Sequence, residues 1–160
     1  MLERLRTDLV RRLKPIKLLI INADGLLTEN PYSVGFKNGD AIRALRDLGI
    51  RIAGFSVRKS ETLFSIGSQI GIEPLYQAIS QKSQFYYKIK SKHLISDDGV
   101  AFLGWDLSDL PIIEKASFSI APSDAALEVR AMSYYVTYCN GEGAVREAAE
   151  LILKARGHSI

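Results

Sequence analysis

Polar side chains able to do chemistry fall at four places in this chain of 160 residues, three of them directly after an apolar run. "IINADGLLTEN" (20–30) delivers Asn22 and Asp24, and "IAGFSVRKSE" (52–61) delivers Ser56 and Arg58. Lys82 stands at the head of a polar segment, and "VAFLGWDLSDLP" (100–111) brings Trp105, Asp106 and Asp109. Such runs deliver polar groups to the mouth of a sheet, where a carboxylate is the useful tool because it is anionic at neutral pH. Position 22 instead carries an amide, which is uncharged and whose nitrogen lone pair is delocalised. Position 105 carries an indole, whose only polar group is an N–H donor. The pattern raises the question of whether this is an active site or the remains of one.

The elements that must hold these residues alternate along the chain. "IKLLIIN" (16–22) is a continuous β-branched and leucine run, expected as a strand buried on both faces. A helix is expected over 39–49, ending at Gly49, then a strand over 50–56, and a helix over 60–71 with Ser60 as N-cap and Gly71 closing it. The pattern continues with a short strand at 74–79, a helix at 81–92, a strand at 100–104 and a helix at 108–115. It ends with a strand at 117–121, a helix at 124–131, a strand at 134–138 and a helix at 143–156. Alternation of this kind predicts a single α/β domain, a doubly wound parallel sheet covered on both faces. Ligands of such sheets bind beyond the carboxyl ends of the strands, where Asn22–Asp24, Ser56–Arg58, the Lys82 region and Trp105–Asp109 fall.

Composition narrows the classes. Hydrophobic content of 47% and charged content of 24% are those of an ordinary globular protein. The pI near 9.0 reflects a net charge of only +3, with the basic residues scattered, so no nucleic-acid partner is expected. One cysteine, Cys139, excludes an internal disulfide and a cysteine-based zinc site; it is expected as a buried thiol in a reducing, cytoplasmic setting. His93 and His158 lie too far apart in sequence to suggest a histidine-rich metal site. No apolar run approaches membrane-spanning length, and no membrane association is expected. The first fourteen residues place Leu2, Leu5, Leu9 and Leu13 on one helical face, predicting an extra N-terminal helix packed on the domain or on a partner chain.

The four places together resemble the four motifs of the haloacid dehalogenase superfamily. "INADGLLT" resembles its first motif, Asp-x-Asp-Gly-x-x-Thr after an apolar strand. Ser56 after "IAGF" matches the second, Lys82 the third, and "VAFLGWDLSDLP" the fourth, Gly-Asp-Asp-x-x-Asp-x-Pro. The wording of "VRKSE" (57–61), "LYQAISQK" (75–82) and "GEGAVREAAELIL" (141–153) is similar to that of the small capless phosphatases acting on 3-deoxy-manno-octulosonate 8-phosphate and related nine-carbon sugar acids. The resemblance covers residues 16–157, nearly the whole chain. It implies a Rossmann-like core without a cap domain and phosphoryl transfer through an aspartyl-phosphate. By position, Asn22 stands where the nucleophile would, Asp24 where the general acid/base would, and Ser56 and Lys82 where the phosphate grip would, with Arg58 beside them. Asp109 stands at the distal acid of the fourth motif. In the family, Mg²⁺ is held by the first motif's leading aspartate with the fourth-motif acid. It needs hard oxygen ligands, and an indole cannot supply one. Arg146, in a segment the family uses at a subunit boundary, is implied as a contact to a partner or a neighbouring site.

Departures from the pattern cluster. Asn22 and Trp105 replace two carboxylates, and Asp106 is a weak substitute metal ligand because adjacent side chains leaving a strand point to opposite faces. Val57 stands where the family has a glycine and is expected to crowd the backbone N–H groups near phosphate. "ENPYSVGFKNGD" (29–40) is shorter by several residues than the family's hairpin, which helps to build a tetramer and shields the site. Uncatalysed phosphomonoester hydrolysis needs acceleration of up to about 10²¹-fold, more than Ser56 and Lys82 could supply by positioning. The leading expectation is therefore a degenerate, non-catalytic relative with no cofactor. It would act as a binding or assembly module in octulosonate or nine-carbon sugar metabolism, self-associating or joined to a hetero-partner. The alternatives are an active Mg²⁺-dependent phosphatase on such a sugar-acid phosphate, and a sensor of a phosphate or sugar-phosphate ligand. Plainer roles compete: Asp24 as a loop-holding Asx residue, Lys82 and Arg58 as solvated charges, Asp109 as a helix-dipole partner, and Trp105 as a core aromatic or a half-exposed plug of the old metal site.

Overall fold

The computed structural model describes residues 6–24 and 36–158. Leu2, Leu5, Thr28 and most of the shortened 29–40 stretch lie outside the described residues. Helix α1 (Thr7–Leu13) leads into β1 (Leu18–Asn22), followed by α2 (Phe36–Asp47), β2 (Arg51–Phe55), α3 (Glu61–Ile70) and β3 (Leu75–Tyr76). Then come α4 (Lys82–His93), β4 (Val100–Leu103), α5 (Leu110–Lys115), β5 (Phe118–Ala121), α6 (Leu127–Met132), β6 (Tyr135–Val136) and α7 (Glu142–Ala155). All six strands are parallel in one sheet, in the order β3-β2-β1-β4-β5-β6. The chain winds outward from β1 in both directions, so the end of β1 is the switch point at which this topology opens a crevice.

The doubly buried run does what its composition requires. Leu18 and Ile20 enter the layer with α4, α5 and α6, while Leu19 and Ile21 enter the layer with α1, α2, α3 and α7. All four are fully buried, each contributing about 1.5–3 kcal/mol of transfer free energy. Gly54 in β2 permits the tight edge of this packing: a Cβ there would meet Ile72 Cγ2 at 2.5 Å. Helix α3 ends as its sequence specifies. The Ser60 hydroxyl accepts from Leu63 N–H at 3.2 Å, and Gly71 closes the helix at φ 87°.

Differences from the sequence expectation lie in the extents. Helix α2 starts three residues early and stops at Asp47, before Gly49 at φ 83°. The edge strands β3 and β6 keep only two residues each. In place of a helix starting at 108, a 3₁₀ turn (Leu107–Asp109) precedes α5. The N-terminal helix docks within the chain. Leu9 and Leu13 are buried against the core, Arg12 donates to the Ser117 carbonyl at 2.9 Å and lies 4.2 Å over the Tyr134 ring, and the Tyr134 hydroxyl donates to Asp8 at 2.6 Å. Cys139 is exposed, which corrects the expectation of a buried thiol. It follows the short β6, in a loop whose amides at Tyr138 and Cys139 are tied to the Glu147 carboxylate at 3.0 Å, so the sheet ends before it can cover the thiol. Among the described residues, no helix is long and apolar enough to cross a membrane.

Candidate functional site

Strand register sets the level of the site. Asn22 lies beside Phe55, and Ile21 beside Leu103, so Phe55 and Gly104 flank Asn22 at one height, and Ser56 and Trp105 emerge one residue further on, on either side of the end of β1. Gly104 lets the following loop fold back closely: a Cβ there would meet Phe102 Cε1 at 2.6 Å and Asp109 Cβ at 3.2 Å. The loop carries Asp109 into a fully buried position facing Asn22.

Asp109 is the hub of this arrangement, and it is also the acid at the helix start, completing a capping box with Asp106 and standing as the N-cap of α5. Its Oδ2 accepts from the Asn22 amide at 2.7 Å, from Trp105 N–H at 2.8 Å and from Asp106 N–H at 3.0 Å. The Lys82 ammonium stands 2.9 Å from Oδ1. Lys82 is 8% exposed, which corrects its reading as a solvated charge, and it also donates to the Ser108 hydroxyl at 2.6 Å. Its ammonium lies 5.7 Å from the centre of the Phe55 ring. Three donors meet Oδ2, while Oδ1 is buried with no hydrogen-bond partner among the described residues and faces the Lys82 ammonium, whose charge offsets part of the cost of desolvating the carboxylate.

Asp24 sits across the mouth, and the loop after β2 gathers around it. Ser56 Oγ–H donates to Oδ1 at 2.5 Å, Val57 N–H donates to Oδ2 at 2.8 Å, and Arg58 Nε lies 3.4 Å from Oδ1. Ser56 Oγ accepts from Arg58 N–H at 3.0 Å, which aims the hydroxyl hydrogen at the carboxylate. Asp24 N–H in turn donates to Asn22 Oδ1 at 2.9 Å. The Val57 side chain is half exposed, and its own N–H donates to an anionic group, the Asp24 carboxylate. Arg58 is a half-exposed charge that is also paired with Asp24.

The remaining residues divide between site and surroundings. Trp105 is half buried between the two cores, and its indole N–H is buried without a partner. Asp106 is exposed and accepts from Leu107 N–H and the Ser108 hydroxyl, both at 2.8 Å, with the Lys82 ammonium at 3.9 Å. Arg146 lies on α7, where it pairs with Glu150 at 2.7 Å. Sequence reasoning missed Ser108 and the Val57 amide. The first lay within the motif stretch two residues after Asp106, whereas a backbone donor leaves no trace in residue type.

At the position that the resemblance assigns to Mg²⁺, this chain offers the Asp109 carboxylate and the Asn22 amide oxygen, and no oxygen from the side chain at 105. Mg²⁺ demands near-octahedral oxygen ligands and usually one or two carboxylates. Here Asn22 Oδ1 is engaged by Asp24 N–H, Asp109 is engaged by three donors and Lys82, and position 105 offers no oxygen in its side chain. Among the described residues, no group of three His, Cys, Asp or Glu side chains converges to hold a metal.

This strand order, with the loops after β1, β2 and β4 and the head of α4 converging at one crevice, defines a haloacid dehalogenase-type domain; no cap domain is inserted among the described residues. No family model matches the chain. The 3-deoxy-D-manno-octulosonate 8-phosphate phosphatase KdsC of Escherichia coli K12 is 33% identical to it over 162 residues, covering 94% of this chain and 86% of that protein. The structure of the corresponding phosphatase from Yersinia pestis superposes with a TM-score of 0.85 at 30% identity, covering 96% of this chain and 89% of that one. The Moraxella catarrhalis phosphatase, in complex with a magnesium ion, a phosphate ion and a KDO molecule, gives a TM-score of 0.84 at 30% identity, covering 94% and 93%. The chain belongs to the family of 3-deoxy-D-manno-octulosonate 8-phosphate phosphatases.

Proposed function

We propose that this chain is a non-catalytic member of its family, retaining an anion-binding crevice for a phosphate or sugar-acid phosphate without the phosphoryl-transfer step. It would serve as a binding or assembly module in octulosonate or nine-carbon sugar metabolism, with self-association or a hetero-partner as the mode of assembly. One unpaired cysteine suits a reducing, cytoplasmic setting. The observation that carries the reading is the direct 2.7 Å hydrogen bond from the Asn22 amide to Asp109. Two carboxylates at that separation need a cation or a proton between them, whereas an amide and a carboxylate satisfy one another. The substitution at 22 therefore removes the attacking group and the electrostatic demand for a metal in one step.

A second reading is an active Mg²⁺-dependent phosphatase on a sugar-acid phosphate. The comparisons taken alone favour it, since the relatives are phosphatases by name and one is a magnesium complex. In that case Mg²⁺ is a cofactor here too, and Asp24, Asp106 or Asp109 acts in an altered role. Release of inorganic phosphate from 3-deoxy-D-manno-octulosonate 8-phosphate and from p-nitrophenyl phosphate, with and without Mg²⁺, separates the two. No metal-dependent release above background supports the proposal, and sustained turnover by the unaltered chain overturns it.

A further inference from the structure

We propose that the Ser56–Val57–Arg58 loop is an anion cradle filled by the chain's own Asp24 carboxylate, which competes with an incoming phosphate group for the same donors. The inference rests on the reading above, that the crevice binds anions without phosphoryl transfer, and it adds how binding is controlled.

Three donors of different origin converge on Asp24: a side-chain hydroxyl at 2.5 Å, a backbone N–H at 2.8 Å and a guanidinium nitrogen at 3.4 Å. They come from three consecutive residues, and the Arg58 amide orients the hydroxyl through the Ser56 oxygen at 3.0 Å. An array of this kind is specific for a group that offers two acceptor oxygens and negative charge. A carboxylate offers them, and so do two oxygens of a phosphate monoester. Asp24 belongs to a different loop, after β1, and reaches across to the cradle while its own amide is anchored on Asn22 at 2.9 Å. The carboxylate is thus tethered close to the donors, and a tethered group competes at high effective concentration.

No metal enters the scheme, and the charges allow this. Asn22 and Trp105 each remove one negative charge relative to the carboxylates that the family pattern places there, which together equals the charge a dication would supply. The Arg58 guanidinium, which faces Asp24 in the unliganded chain, faces the incoming anion in its place. In this chain the residue at the acid/base position therefore opposes ligand binding. Its removal strengthens binding, where in a catalyst it would only impair turnover.

The size of the effect follows from occupancy. If the cradle is free of Asp24 in about a tenth of molecules or fewer, apparent affinity is reduced by about tenfold or more. The test is titration with inorganic phosphate in EDTA, by calorimetry and by the amide resonances of Val57 and Arg58. Wild type, Asp24→Ala and the nearly isosteric Asp24→Asn are compared, the last guarding against misfolding of the first. The expected result is phosphate binding at least about tenfold tighter in Asp24→Ala, an intermediate gain in Asp24→Asn, and shifts of both amides in all three proteins. Arg58→Ala in the Asp24→Ala background should return much of the gain. Equal or weaker binding by the folded variants overturns the inference, as does binding that appears only when Mg²⁺ is added. Failure here leaves the ester-release assay untouched, so the two readings fall separately.

Discussion

Replacing Asn22 by aspartate puts a carboxylate where the family resemblance places the nucleophile and sets its oxygen against Asp109 Oδ2 at the position now held by an amide nitrogen 2.7 Å away. With both groups ionised and an effective dielectric of 20, the repulsion is about 332/(20 × 2.7), or roughly 6 kcal/mol, an upper bound. The pair avoids most of that by retaining a proton or by moving apart. The least that is lost is the hydrogen bond to a charged acceptor, about 1.5–3 kcal/mol. For a domain of this size each kcal/mol moves Tm by about 2–4 °C, so that least loss lowers Tm by roughly 3–12 °C in EDTA, and any repulsion left unrelieved adds to it. Mg²⁺ should recover part of it, because a cation between the two carboxylates binds only the folded state; at a hundredfold excess over Kd it returns about 2.7 kcal/mol. Wild type should show no Mg²⁺-dependent shift, and Asn22→Asp with Trp105→Asp a larger one than Asn22→Asp alone. Thermal unfolding across a Mg²⁺ series is the assay. Equal stability of wild type and Asn22→Asp in EDTA, or equal Mg²⁺ stabilisation of the two, would refute the argument that the amide stands in for a cation.

Three further outcomes are expected. Leu13→Ala, at a fully buried position where α1 meets the core, should cost about 2–5 kcal/mol in urea unfolding and raise proteolysis near the N-terminus. Burial, with the nearby cations Arg51 and Lys92, holds the His93 pKa below its ordinary 6.5. The unfolded chain therefore binds more protons just below pH 6.5, so stability falls on acidification through that window, and His93→Gln should flatten this part of a stability–pH curve. Burial, with the Glu147 carboxylate, raises the Cys139 thiol above its usual range although the residue is exposed; Glu147→Gln should therefore speed labelling of the native thiol by an uncharged maleimide near pH 7.5.

The fold was legible because its signals are local. The uninterrupted run at 18–22, the Ser60 and Gly71 caps and the alternation of strands with helices each reflect short-range chemistry, and all appear in the structure. The position of the site was legible for the same reason, since strand ends and motif spacing fix it. What each polar group does there was not. Asp109 reads as a helix-start acid, which it is, but the close turn at Gly104 also carries it inward to meet Asn22, a contact 87 positions away in sequence. Lys82 reads as a surface cation until Asp109 and Ser108 are folded over it. Cys139 shows the converse error: an average preference of cysteine for the interior fails where a two-residue edge strand leaves nothing to cover it.

Those two-residue borders have another consequence. A parallel sheet left open at both sides presents unsatisfied backbone donors and acceptors to any neighbouring chain, and long flat margins invite fibril-like stacking. With only Leu75–Tyr76 on one side and Tyr135–Val136 on the other, there is too little ribbon for an intruding strand to grip. Among the described residues, the surfaces larger than these margins are helices and loops, whose side chains can be tuned for a chosen neighbour in a way that bare amides cannot.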